Sequence, residues 1–68
     1  MWRVRYLTHY DDFARWGSSK AFSRSNAFDW IRYAPKSALE IEIYFGPKLM
    51  LHYKRDKHGR LQRIWKAA

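Results

Sequence analysis

The strongest constraint in this chain is a pair of alternating apolar runs that face each other across Gly46-Pro47-Lys48. Leu39, Ile41, Ile43 and Phe45 alternate with Glu40, Glu42 and Tyr44, and Leu49, Leu51 and Tyr53 alternate with Met50, His52 and Lys54. A period of two sends each set to one side of a pleated strand. A short connection between two such strands makes an antiparallel hairpin. The same pattern chooses the register. A two-residue Gly46-Pro47 loop pairs Ile41 with His52 and Ile43 with Met50, which carries His52, Lys48 and Lys54 onto the apolar side. A three-residue loop pairs Phe45 with Leu49, Ile43 with Leu51 and Ile41 with Tyr53, and on the other side Glu42 with His52 and Glu40 with Lys54. A slip of one residue exchanges the two faces, so the pattern predicts the three-residue loop. Each Glu-to-base pair adds roughly 0.2–1 kcal/mol.

The flanks supply the remaining elements. Trp2, Val4 and Tyr6 alternate with Arg3 and Arg5, which predicts a strand at the N-terminus. Asp11 or Asp12 is placed to cap a short helical turn that turns Phe13 and Trp16 inward, and Gly17-Ser18-Ser19 reads as a break. Ser23 or Ser25 then caps a helix whose stripe is Ala27, Trp30, Ile31 and Ala34, with Phe28 at its edge. Pro35 stops it, because the residue before proline is driven out of the helical region. Asp56-Lys57-His58-Gly59 is a turn signal, Asp first and Gly last. A turn that tight favours a returning strand for the last ten residues, with Leu61 and Trp65 inward and Ile64 outward, over a helix of Leu61, Ile64, Trp65 and Ala68. The expected fold is α+β: a small antiparallel sheet of three or four strands in β-α-β-β-β order, with one helix on the face formed by Val4, Tyr6, Leu39, Ile41, Ile43, Phe45, Leu49 and Leu51.

At 68 residues the chain holds one domain, residues 1–68, with no internal linker or repeat. It contains no cysteine, so neither disulfides nor thiolate metal sites can staple it. Its surplus is aromatic instead: 4 Trp, 5 Tyr and 4 Phe, each able to bury roughly 150–250 Å². No apolar run reaches the ~20 residues that span a bilayer, and the N-terminus opens into alternation and not into an apolar signal core. A cytoplasmic protein is the expectation.

The net charge is +8, unevenly laid down. Residues 1–46 offset seven Lys and Arg with five carboxylates; residues 47–68 hold Lys48, Lys54, Arg55, Lys57, Arg60, Arg63 and Lys66 against Asp56 alone. A field of that sign and size favours an acidic partner. Three surfaces qualify. The first is the open sheet face, with Arg3, Arg5, Tyr44, Met50, His52 and Lys54, on which Glu40 and Glu42 oppose phosphate. The second is the C-terminal hairpin and tail, Lys54, Arg55, Lys57, His58, Arg60, Arg63 and Lys66, which can lie along a phosphate backbone; Tyr44 and Tyr53 are the rings of the expected binding set that can stack on bases. The third is the helix start, with Arg15, Lys20, Arg24 and Arg32 among Ser18, Ser19, Ser23, Ser25 and Asn26, residues that equally serve as plain caps.

Chemistry beyond binding finds little support. His9, His52 and His58 have no ligand spacing between them, although His9 lies near Asp11 and Asp12; no metal and no cofactor is expected. There is no nucleophile–base pattern or glycine-rich phosphate loop, so an enzyme is not expected; an acid–base ribonuclease using one of the histidines is the remote catalytic alternative. The chain carries neither the aromatic signature of RNA-recognition sheets nor zinc-finger ligands. The leading expectation is a small basic module that binds DNA or RNA through phosphate contacts and aromatic stacking. The alternative is an inhibitor or adaptor of viral or mobile-element type that docks on an acidic or nucleic-acid-associated protein complex. Trp2, Trp16, Trp65, Tyr10 and Tyr33 would be its anchors, since so many rings exceed what a small core can hold. A homodimer would cover the same rings. Neither a membrane nor a small molecule is an expected partner.

Overall fold

A computed structural model describes residues 1–10 and 15–67. Among these described residues, five strands and one helix follow in the order β1 (Trp2–Leu7), β2 (Trp16–Ala21), α1 (Arg24–Arg32), β3 (Glu40–Phe45), β4 (Lys48–Arg55) and β5 (Leu61–Lys66). The strands form a single antiparallel sheet in the spatial order β2-β1-β3-β4-β5. Sheet plus helix agrees with the sequence reading. The expected three or four strands in β-α-β-β-β order do not: β2 is an additional strand, and the order is β-β-α-β-β-β.

β2 occupies the segment that composition marks as a break. Gly17, Ser18 and Ser19 lie inside it, and Trp16 begins it. Asp11, Asp12 and Phe13, the start of the expected helical turn, lie outside the described residues. Residues such as Gly and Ser have weak strand preference, and what decides here is packing. The Tyr6 ring lies over Gly17, its partner across β1–β2, so closely that a Cβ there would fall 2.3–2.5 Å from the ring's far atoms. The other side of Tyr6 stacks on Trp30 of α1, with ring centroids 5.2 Å apart. Gly17 is therefore the floor of an aromatic sandwich.

Both β2 and β3 run antiparallel to β1, so they are parallel to each other, and α1 is the crossover that such a pair requires. Ser23 caps the helix: its hydroxyl accepts the Asn26 N–H at 3.1 Å, and the Asn26 side chain reaches back to accept the Phe22 N–H at 3.2 Å. The helix packs on β1, β2 and β3. The buried cluster is Val4, Ala21, Ala27, Ala38, Ile41, Ile43 and Leu51. Its members are small or branched, which lets helix and sheet approach closely, and Trp2, Tyr6, Phe28, Trp30 and Tyr53 form a rim around it.

Two β-bulges decide how the second half of the sheet is presented. Over Glu40–Ile43 the β3–β4 register is the predicted one, with Ile43 opposite Leu51, Ile41 opposite Tyr53, Glu42 opposite His52 and Glu40 opposite Lys54. Between Ile43 and Tyr44 it shifts, so that Tyr44 faces Leu49 and Phe45 faces Lys48. The connection is thus a two-residue turn, not the expected three-residue loop. Gly46 takes φ +59° ahead of Pro47, whose ring holds φ near −65°, the sign sequence of the hairpin-favoured type II′ turn. The apolar pattern and the tight turn each demand their own register, and one bulged residue reconciles them. Leu49 consequently leaves the expected core face and sits opposite Tyr44, while Met50 lines the helix side and not the open face.

The second bulge lies between β4 and β5. Tyr53 pairs with Arg63 but His52 pairs with Trp65, leaving Ile64 as the extra residue. The last segment is a strand, as expected, but Leu61 and Trp65 do not share an inward face: Leu61 is opposite Arg55 on the helix side and Trp65 is opposite His52 on the open side.

Candidate nucleic-acid interface

On the open face the charges pair with one another. Arg5 Nη1 lies 3.4 Å from Glu42 Oε1, and its guanidinium sits 4.7 Å from the centre of the Trp16 ring. Arg3 lies over Tyr44 at 5.5 Å, and the Tyr44 hydroxyl donates to Glu42 Oε2 at 3.3 Å. His52 Nε2 is 2.7 Å from Glu40 Oε1. Lys54 Nζ is 5.8 Å from the Tyr10 ring. Desolvation of the Tyr10 hydroxyl, with the hydrogen bond and negative charge of Glu40, pushes its phenol up to about 12. Glu40 is thus engaged by His52 and Glu42 Oε2 by Tyr44, while the buried Glu42 Oε1 has the Arg5 charge beside it but accepts no hydrogen bond among the described residues. Arg5, Tyr44 and His52 are occupied by the same contacts.

Arg55 is bound to the chain's own backbone. Its Nε–H donates to the Ala38 carbonyl at 2.7 Å, and its two terminal nitrogens donate to the Gly59 and Pro35 carbonyls at 2.8 and 2.9 Å. One guanidinium thus ties β4 to the loop after α1 and to the β4–β5 turn. That turn is ordered by Asp56: Oδ1 accepts the Arg60 N–H at 3.0 Å and the His58 N–H at 2.8 Å, and Oδ2 accepts from Gln62 at 3.2 Å. The Arg60 amide, with those from His58 and Gln62 against a smaller opposing desolvation, holds the Asp56 carboxyl below the usual carboxylate range. The result is a fixed tip that displays Lys57 and Arg60 to solvent.

The helix side of β4–β5 is different. Because α1 lies over β1, β2 and β3, the β4–β5 half is left as one wall of a groove whose other wall is the helix start. The groove holds about 310 Å³, at the small end of the range of ligand sites. Trp2, Phe28 and Tyr53 supply its rings; Arg24, Arg63 and Lys66 supply its charge; Met50, Leu51 and Ala67 complete it. None of these described lining residues is acidic. Arg24 lies over the Phe28 ring at 5.3 Å, one turn apart on α1. The bulges build this site. On a regular strand Arg63 and Lys66, three residues apart, would point to opposite faces; the extra residue Ile64 brings them to the same one, opposite Tyr53 and Leu51. The other bulge supplies Met50.

The sequence-derived residues are thus divided. Arg3, Arg5, Tyr44 and Lys54 are on the open face, Lys57 and Arg60 are at the turn, Arg55 is a clamp, and Tyr53 and Arg63 line the groove. Of the proposed anchors, Trp2 lines the groove and Trp16 supports Arg5; Trp65, Tyr10 and Tyr33 are exposed, at 52%, 58% and 74%, with the Tyr10 hydroxyl beside Glu40. Phe22 is fully exposed. A shallower hollow beside Tyr33 is lined by Asn26, Asp29, Trp30 and Pro35. Sequence reasoning places Arg24 with the helix start and Lys66 with the basic tail, and leaves Phe28 out of the binding set. The i, i+4 spacing of Arg24 and Phe28 is a usable signal; the position of the bulge that recruits Lys66 leaves none.

Among the described residues no helix is long and apolar enough to cross a membrane, and no group of three His, Cys, Asp or Glu side chains is placed to hold a metal ion. Comparison with protein-family models, with curated proteins and with solved structures gives no match.

Proposed function

We propose that this chain is a non-enzymatic nucleic-acid-binding module that holds phosphates along the helix-side edge of β5. The observation that carries the reading is the groove: three cations and three rings converge there without a lining carboxylate, whereas the cations of the open face lie beside Glu40 and Glu42. Lys57 and Arg60 extend the basic track past the β4–β5 turn. Arginine and lysine at the phosphates give affinity and salt dependence, and rings give stacking, neither of which requires a particular sequence. The test is the pair Arg63→Gln and Lys66→Gln, both on exposed β5 positions. The double variant is expected to keep its fold and to flatten the log–log salt dependence of binding by about 1 for each phosphate it no longer neutralises. An unchanged slope would remove β5 from the interface.

Exposed Phe22, Tyr33 and Trp65 support a second reading, docking on a protein through aromatic anchors. It predicts binding that is weakly salt-dependent and is abolished by Tyr33→Ala or Trp65→Ala.

A further inference from the structure

From the shape of the groove we infer that it receives an unpaired nucleobase, so that the module is selective for single-stranded over duplex nucleic acid; this rests on the nucleic-acid reading above. Trp2, Phe28 and Tyr53 are partly buried around the core, recessed between α1 and β4. Rings so placed cannot meet bases that stay stacked inside a duplex. They can meet a base turned out from a single strand, whose π-face is free. The cavity of about 310 Å³ accepts one or two such planar rings and no part of a double helix. The cations stand where the attached backbone must run: Arg63 and Lys66 on the β5 wall, Arg24 on the helix wall. Charge complementarity therefore points the same way as shape, and Met50 gives the slot a deformable apolar side that tolerates different bases.

Stacking makes a second demand that the fold meets. Trp2 is held by the Phe45 ring, with centroids 5.0 Å apart, and Phe28 by Arg24, so two of the rings are positioned before a base arrives. Preorganisation of this kind reduces the ordering cost of binding. Trp2 also makes the event visible, because a stacked base quenches indole emission.

The experiment uses the full chain with three probes: an oligothymidylate and an oligouridylate of about 8 nucleotides, within the range one small domain covers, and a mixed-sequence duplex. Binding is read by anisotropy and by tryptophan emission. Single strands are expected to bind more tightly than duplex and to quench emission, with the quench abolished in Trp2→Phe. The DNA and RNA arms then show which sugar is preferred. Tyr53→Leu and Phe28→Leu keep apolar volume while removing a stacking face, and each should weaken single-strand binding by about 5- to 150-fold; thermal unfolding of each variant reports that it is folded. Duplex binding as tight as single-strand binding, indifferent to these variants, would overturn the inference and leave phosphate binding standing. No binding to any probe at low salt would overturn both.

Discussion

Gly17 shows how a single missing side chain determines an element. The Tyr6 ring lies over it and is itself held against Trp30, so an added methyl has nowhere to go. Gly17→Ala is expected to destabilise the domain by about 1–3 kcal/mol, the usual cost of overpacking, measured by thermal or urea unfolding. In a Tyr6→Leu background the same change should cost much less, because the obstructing ring is gone. Equal costs in the two backgrounds would mean that the ring does not set the requirement. Tyr10 offers a residue-scale test by pH. Its folded phenol titrates near 12, above the value near 10 of an unfolded tyrosine. The raised folded value means that its contribution to stability is complete below about pH 10 and disappears as pH rises from there through about 12. Glu40→Gln removes the charge that helps to hold the proton, so phenolate absorbance in that variant should appear at lower pH than in the parent. An unmoved titration would show Glu40 to have no part in it.

At the scale of elements, the β4–β5 arm depends on Arg55. Its guanidinium bonds three carbonyls from two segments, Pro35 and Ala38 in the loop after α1 and Gly59 in the β4–β5 turn. Lys cannot reproduce that fork. Arg55→Lys should therefore cost about 1–3 kcal/mol of stability and speed amide exchange in the β4–β5 turn first; exchange that accelerates uniformly would argue against a local clamp. The legibility of this molecule in its sequence also divides by element. β1, β3, β4 and α1 are readable because alternation or a 3.6-residue stripe marks which face they bury, and most of the β3–β4 register follows from Leu39–Tyr53 alone. β2 is not, because what fixes Gly17 is a flat place beneath Tyr6, and Trp16-Gly17-Ser18-Ser19 carries no periodicity. The bulges are not readable either. Each moves one residue, yet together they transfer Met50 and Lys66 to the groove and Leu49 and Trp65 away from the expected core face. The charge of the C-terminal third is plain in the sequence; the surface to which it belongs depends on Ile64.

Taken whole, the domain keeps its charges apart by face. The open side of the sheet places its cations beside Glu40 and Glu42, and the helix side leaves Arg24, Arg63 and Lys66 around recessed rings. The molecule measures 29 × 24 × 22 Å, about three screening lengths across at physiological salt, so an approaching polyanion feels chiefly the cations of the face it meets, and the face that holds the groove presents them without a carboxylate in its described lining. The sheet edges β2 and β5 carry Lys20, Arg63 and Lys66, which discourages pairing with a second copy along those strands. Whether the basic groove holds nucleic acid is decided by the affinity of the full chain for a single-stranded oligonucleotide across a salt series. With Arg24, Lys57, Arg60, Arg63 and Lys66 at phosphates, affinity should fall on the order of 10²-fold between about 50 and about 200 mM salt. A flat dependence, or no binding at the lowest salt, would contradict it and assign the basic surface to a protein partner.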